Sequence, residues 1–128
     1  MKILLDTCAF LWLVADAPEL SQTARTLFRD ADNEAYLSSV SAWEIIVKNQ
    51  LGKLPLPERA DTFIQQQCQG HFIETLSLEA KAVFHLSHLP SHHRDPFDRM
   101  LICQAIEHGM TIMTSDKLIT QYSVSTVW

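Results

Sequence analysis

The chain has 128 residues, 47% of them hydrophobic, a length that suits one domain with a single buried core. It has no apolar run of membrane-spanning length, no signal-like N-terminus and only three cysteines, so we expect a cytoplasmic protein without a membrane segment or a disulfide framework. The formal net charge of −5 argues, at face value, against a nucleic-acid partner.

The first predicted element is a short strand that ends in a carboxylate. Residues 3–5 are three consecutive apolar residues that lead directly to Asp6. Such a run is typical of a strand buried on both faces of a parallel sheet. Because ligands bind at the carboxyl ends of the strands in open α/β sheets, Asp6 has a functional interpretation. It also has a structural one, since Asp at this position caps a helix that begins near Thr7.

The rest of the chain alternates between helical and strand-like segments. Helices are predicted at residues 7–15, 21–31, 41–51, 58–68, 77–88, 95–109 and 117–120. Further strands are predicted at residues 35–38, 72–76, 110–114 and 123–127. Alternation of short apolar strands with helices predicts an α/β fold, a parallel sheet of about five short strands flanked by helices. We predict a single domain over residues 1–128.

The third predicted helix opens with the pattern of a capping box. Ser41 stands at the predicted N-cap and Glu44 follows three residues later. The capping box alone is sufficient to explain a glutamate at position 44. A carboxylate in the first turn of a helix that directly follows a strand also points towards the same sheet edge as Asp6, so the two interpretations are compatible.

Three more acids occupy comparable positions later in the chain. Asp95 precedes Pro96, which keeps it out of the helical conformation and suits it to the N-cap of the sixth helix. Asp98 falls in the first turn of that helix, where the helix dipole favours a carboxylate. Asp116 stands just past a strand, as Asp6 does. Acids at strand ends and in first turns are predicted to converge on one edge of the sheet.

Converging carboxylates repel one another unless they take up protons or share a cation. The usual cation is Mg²⁺ or Mn²⁺, which accepts oxygen ligands and keeps several waters. Such an ion activates water and neutralises charge on a phosphate, which indicates metal-assisted phosphodiester hydrolysis. If four acids surround a cation, the remaining surface is close to neutral, and the net charge no longer argues against a nucleic acid.

Four stretches of the sequence together resemble the PIN-domain family, and specifically the VapC-type ribonuclease toxins of type II toxin–antitoxin systems. They are Ile-Leu-Leu-Asp6-Thr, Ser41-Ala-Trp-Glu44, Asp98-Arg-Met-Leu-Ile-Cys-Gln-Ala105 leading to Glu107-His-Gly-Met, and Thr114-Ser-Asp116. The resemblance implies a Mg²⁺-dependent endoribonuclease, a homodimer and inhibition by a cognate antitoxin.

The resemblance also carries over an acidic quartet of Asp6, Glu44, Asp98 and Asp116. In this interpretation Asp6 and Asp98 hold the ion most directly, and Glu44 orients or deprotonates water. Asp116 binds through water or supports a second ion. Asp95 is an additional acid, and aligning the stretch that ends at residue 109 with the related toxins puts the family's acid on Asp98 rather than on Asp95.

Other residues near these acids have predicted supporting roles. Thr7 and Ser115 are candidate hydrogen-bond donors to the carboxylates or to a phosphate. The candidates for phosphate contact are basic residues close to the acids in sequence: Arg94, Arg99, Lys117 and Lys48. Aromatic residues are enriched at interfaces, so Trp12 and Trp43 are candidates for the contact with a partner, although burial in the core is the alternative.

Three alternatives compete with this hypothesis. A group of four histidines at positions 85, 88, 92 and 93 invites a zinc site, although no cysteine lies nearby. A phosphatase with Asp6 as its nucleophile would want a second acid two residues later, where this chain has Cys8. A catalytically inactive module that binds RNA or protein is the third alternative, and the presence of all four acids speaks against it.

Overall fold

The computed structural model describes residues 1–128 and alternates strands with helices along the chain. The strands are β1 (Lys2–Leu5), β2 (Glu34–Ser38), β3 (Glu74–Leu76), β4 (Thr111–Met113) and β5 (Thr126–Val127). The helices are α1 (Thr7–Val14), α2 (Gln22–Arg29), α3 (Ser39–Gln50), α4 (Ala60–Gly70), α5 (Ala80–Phe84), α6 (Pro96–His108) and α7 (Lys117–Thr120). A 3₁₀ turn (His85–His88) extends α5. No helix has the length and apolar character needed to cross a bilayer.

The five strands form one sheet in the order β3-β2-β1-β4-β5, and every neighbouring pair is parallel. The chain therefore moves outward from β1 to β2 and β3, then crosses back to β4 on the other side of β1. Between β1 and β4 the order reverses, which is where open α/β sheets bind ligands. The predicted α/β fold with five parallel strands is confirmed.

The centre of the sheet is buried on both faces. Ile3 and Leu5 belong to a cluster with side chains of α1, α2, α3 and α4, whereas Leu4 belongs to a second cluster with α6 and α7. All three side chains are fully buried. Alternate residues of a strand point to opposite faces, so three consecutive apolar residues are what such a strand requires.

The beginning of α3 differs from the prediction. The N-cap is Ser38, whose side chain accepts a hydrogen bond from the backbone N–H of Val40, so the capping box at Ser41 and Glu44 is wrong. β2 runs into α3 without a loop, and Ser38 is the residue at which the strand ends. The Ser41 hydroxyl is buried without a partner, and Glu44 lies in the second turn.

The fifth predicted helix begins later than the sequence indicates. α5 starts at Ala80, and residues 77–79 are not helical. The carbonyl of Ser77 accepts a hydrogen bond from the Gln104 side chain, and the N–H of Leu78 donates to the hydroxyl of Ser39. These contacts with α6 and α3 hold the segment extended, so Ser77 does not cap the helix.

Candidate active site

The site lies at the carboxyl edge of the sheet, where the neighbouring strands β1 and β4 end. Asp6 directly follows β1, and its backbone N–H still pairs with the carbonyl of Met113 at the end of β4 (3.1 Å). Asp116 follows β4, Asp98 lies in the first turn of α6 and Glu44 comes from α3. The structure thus brings all four predicted acids to one edge, where the charges of Glu44 and Asp116 act on both Asp6 and Asp98.

Asp6 has the capping role that its sequence position suggested, and it lies at the site. Its Oδ1 accepts a hydrogen bond from the N–H of Ala9 (2.7 Å), so it is the N-cap of α1. The side chain is buried, and this burial raises the pKa of Asp6, with the charges of Asp116 and Glu44 acting in the same direction. Hydrogen bonds from Thr114 and Ala9 oppose the shift in pKa. A cap alone does not require a buried carboxylate beside two others.

Glu44 is buried and has donors at both oxygens. The hydroxyl of Thr7 donates to Oε1 (2.6 Å), and the ammonium of Lys48 forms an ion pair with Oε2. The predicted hydrogen bond from Thr7 to a carboxylate is therefore present. The hydrogen bond to Glu44 also raises the pKa of Lys48. Lys48, predicted as a phosphate contact, is a counter-ion of Glu44 at the acidic site, and its side chain is partly exposed.

Asp98 is largely buried, with 19% of its side chain exposed. Burial and the charge of Asp95 raise its pKa to about 6, while a hydrogen bond from His93 opposes the shift. His93 Nε2 lies 3.3 Å from Asp98 Oδ2. The other oxygen of Asp98, Oδ1, has no protein donor and is therefore free to bind a cation.

Asp95 serves as the N-cap of α6, as predicted. Its Oδ1 accepts hydrogen bonds from the N–H groups of Phe97 (2.9 Å) and Asp98 (3.1 Å). Its charge nevertheless reaches the site, because it raises the pKa values of Asp98 and Lys48. Asp95 is therefore a capping residue that adds to the negative potential of the site.

Asp116 is the N-cap of α7, and Oδ1 accepts a hydrogen bond from Leu118 N–H (2.9 Å). The backbone N–H of Asp116 donates to the hydroxyl of Thr114 (3.0 Å), which is itself buried. Ser115 is exposed and makes no hydrogen bond to an acid, so Thr114 takes the role predicted for Ser115. The sequence signal was weak, because Thr114 is the last residue of a predicted strand that is buried on both faces.

The other three basic residues that were predicted as phosphate contacts differ in whether the protein already engages their side chains. Arg99 donates to the Pro90 carbonyl (2.7 Å) and to the Tyr122 hydroxyl (2.9 Å), so it holds the loop before α6 instead of lying free for a phosphate. Arg94 and Lys117 are exposed, and neither takes part in an ion pair.

The four clustered histidines do not come together as a zinc site. His85 lies 3.0 Å from the Glu107 carboxylate, His92 packs edge-to-face against Tyr122, and His93 contacts Asp98. Cys8 is an exposed residue beside the acids, and partial burial of its thiol, together with the charges of Asp6 and Glu44, raises its pKa.

The carboxylate oxygens of these acids are the type of ligand atom that a hard divalent cation prefers. No three His, Cys, Asp or Glu side chains form a closed set of metal ligands. Mg²⁺ keeps several waters and is usually bound by one or two carboxylates together with the substrate's phosphate, so it does not require such a set. Asp98 Oδ1 and Asp116 Oδ2 accept no hydrogen bond from the protein, and both atoms are accessible to solvent.

The strand order and the buried carboxylates at the switch point place this chain in a class of proteins: α/β domains with an acidic site at the edge of a parallel sheet. The family model of the PIN domain matches residues 3–124, and the chain belongs to the PIN domain family.

Relatives and solved structures agree with this assignment. The chain is 26% identical over 121 residues to Ribonuclease VapC22 of Mycobacterium tuberculosis, which covers 94% of this chain and 91% of that protein. It is 36% identical over 67 residues to Ribonuclease VapC16 of the same organism, covering 52% of this chain and 45% of that protein.

Among solved structures, the DNA-bound VapBC of Salmonella typhimurium superposes with a TM-score of 0.74 at 19% identity, covering 99% of this chain and 97% of that chain. VapBC2 of Rickettsia felis bound to a promoter fragment gives 0.72 at 14% identity, covering 99% and 98%. At such identities the likeness shows the fold.

Proposed function

We propose that this PIN domain is the toxin of a toxin–antitoxin pair and that it hydrolyses RNA phosphodiester bonds in the cytoplasm as a Mg²⁺-dependent endonuclease, with Mn²⁺ as a substitute. The observation that carries the proposal is the convergence of Asp6, Glu44, Asp98 and Asp116 on one sheet edge, with raised pKa values at Asp6 and Asp98. Two relatives that bear the name ribonuclease support it.

In this proposal Asp6 and Asp98 hold the cation, and Asp116 supports it through water or binds a second ion. A bound divalent cation supplies positive charge that stabilises the negative charge developing on the phosphate. Glu44, fixed by Thr7 and Lys48, orients the attacking water or takes up its proton. The exposed Arg94 and Lys117 contact the RNA backbone.

Cleavage of RNA by the purified protein tests the reaction. We expect cleavage with Mg²⁺ and with Mn²⁺, loss of cleavage in EDTA, and loss of cleavage on Asp98→Asn. Asp32→Asn is the matched control, because it removes one charge from an exposed position in the turn before β2. Undiminished cleavage in EDTA refutes the metal mechanism. RNA binding without cleavage under every condition would indicate an inactive RNA-binding module.

The partner proposed for the toxin is an antitoxin whose amphipathic helix lies on apolar surface and places an arginine among the acids. Large apolar side chains remain exposed: Trp43 (57%), Leu51 (63%), Phe72 (90%) and Phe84 (68%). The solved VapBC structures that share the fold support an antitoxin as the partner.

We also propose that the protein is a homodimer. Light scattering tests this proposal, and a clean monomer would contradict it.

A further inference from the structure

A chain of hydrogen bonds runs from Arg99 through Tyr122 and His93 to Asp98. Arg99 Nη1 donates to the Tyr122 hydroxyl (2.9 Å), which lies 2.9 Å from His93 Nδ1. His93 Nε2 in turn lies 3.3 Å from Asp98 Oδ2. Tyr122 is 4% exposed, and the side chain of His93 is 7% exposed. The arrangement joins residues separated by up to 29 positions and is nearly closed to solvent.

The balance of donors and acceptors fixes the direction of this chain. The Tyr122 oxygen accepts the N–H of Arg99 and also the backbone N–H of His93 (3.2 Å). With both of its acceptor sites in use, the hydroxyl has only its own hydrogen to offer, and Nδ1 of His93 is the acceptor within reach. With Nδ1 as an acceptor, the ring hydrogen of His93 is on Nε2, and that nitrogen donates to Asp98 Oδ2.

We propose that His93 and Tyr122 are positioning residues that hold Asp98 in the orientation needed to bind the divalent cation. The proposal rests on the proposed function, because it takes Asp98 as a metal ligand. The hydrogen bond from His93 occupies Oδ2 and leaves Oδ1 without a protein donor. A carboxylate fixed in this way is ordered before the cation arrives, and loss of such supporting hydrogen bonds typically weakens metal binding by about 10–100-fold.

The same network also has a structural role that must be separated from positioning. Arg99 holds the loop before α6 through the carbonyl of Pro90, and the Tyr122 ring packs in the core cluster beneath α6. Tyr122→Phe keeps the ring in the core and removes only the hydroxyl. His93→Gln keeps an N–H donor for Asp98 and a carbonyl acceptor for Tyr122. His93→Ala removes both groups.

Calorimetric titration with Mn²⁺ alone, at a pH where the carboxylates are ionised, measures the proposed effect. We expect His93→Ala and Tyr122→Phe to bind Mn²⁺ 10–100-fold more weakly than the wild type, and His93→Gln to recover most of the affinity. His92→Ala is the matched control: His92 also packs edge-to-face on Tyr122 but makes no contact with Asp98. It should bind like the wild type. Thermal unfolding without metal confirms that each variant is folded.

A second measurement does not depend on metal. The ¹⁵N chemical shifts of the His93 ring should show the Nε2–H tautomer in the metal-free wild type, and Tyr122→Phe should reduce that preference. An Nδ1–H tautomer in the wild type overturns the positioning proposal. Wild-type affinity in both His93→Ala and Tyr122→Phe overturns it as well. A wild-type protein that has the expected tautomer but binds no Mn²⁺ overturns the proposed function and, with it, the role assigned to Asp98.

Discussion

Replacing Asp98 with Asn removes a negative charge from a place where the fold disfavours one. The pKa of Asp98 rises from 3.8 to about 6 because the carboxyl is buried and lies near Asp95, Asp116 and Glu44. Asn is close to Asp in shape and retains an oxygen that can accept the hydrogen bond from His93. The variant should therefore be catalytically inactive and yet more stable than the metal-free wild type.

The size of the effect follows from the shift in pKa. The rise in pKa from 3.8 to about 6 corresponds to an upper limit of about 3 kcal/mol. The side chain is 19% exposed, and water screens part of the interaction. We therefore expect a gain of about 1–2 kcal/mol at neutral pH after this reduction. For a chain of 128 residues this gain corresponds to an increase in Tm of about 4–7 °C.

The gain should depend on pH in a defined direction. Asp98 has a pKa of about 6 in the folded protein and 3.8 as the reference for the unfolded chain, so folding takes up a proton between these values. Acidification through this range stabilises the wild type, because stability falls with pH wherever the folded state binds more protons. The advantage of Asp98→Asn should be largest above pH 6 and should disappear as the pH approaches 3.8.

Thermal unfolding in EDTA, at a series of pH values, measures this difference. Asp32→Asn again serves as the control, since it changes the net charge equally at an exposed position. A Tm for Asp98→Asn below that of the wild type at neutral pH, with the control unchanged, would refute the reasoning. It would show that the interaction of the carboxylate with His93 outweighs the effect of burial.

Three further predictions concern the neighbouring acids and the cation. Asp6→Asn should abolish cleavage and remain folded, because Asn also caps helices; an unfolded variant on circular dichroism would show that the role of the carboxylate is structural. Asp95→Asn should keep most of the cleavage activity, whereas Asp95→Ala should lower the free energy of unfolding by about 1 kcal/mol in denaturant titrations. Mg²⁺ at a hundredfold excess over its Kd should stabilise the wild type by about 2.7 kcal/mol, with a smaller effect on Asp98→Asn; an unchanged wild-type Tm would contradict metal binding.

The parts of the fold that sequence predicted well are those with local signals. Three consecutive apolar residues were sufficient to identify β1 as a strand buried on both faces. Asp95 before a proline gave the start of α6, and Gly109 gave its end, where the backbone has a φ of 64°. In each case the determining residues lie next to the element that they define.

Most of the failures involve contacts between distant segments, whereas the start of α3 depends on the adjoining strand, whose last residue, Ser38, is the N-cap. The start of α3 depends on where β2 ends, and a capping pattern inside the helix cannot show this. Residues 77–79 are held by partners in α3 and α6, so a serine before a helical pattern was misleading. The contact of His93 with Tyr122 spans 29 positions and follows no periodic pattern. Only the folded chain brings these groups together.

The position of β1 at the centre of the sheet has a consequence for synthesis on the ribosome. β1 is made before the other four strands, but residues 3–5 pair with residues 111–113 of β4, and Asp116 follows later still. Contacts across such long segments of chain form slowly, because the loop must close before they contribute. A nascent chain that stops before β4 has neither the strand on the second side of β1 nor the complete set of acids. If the proposed function is correct, products that end before Asp116 should lack nuclease activity, and the activity should arise only after Asp116 has emerged from the ribosome.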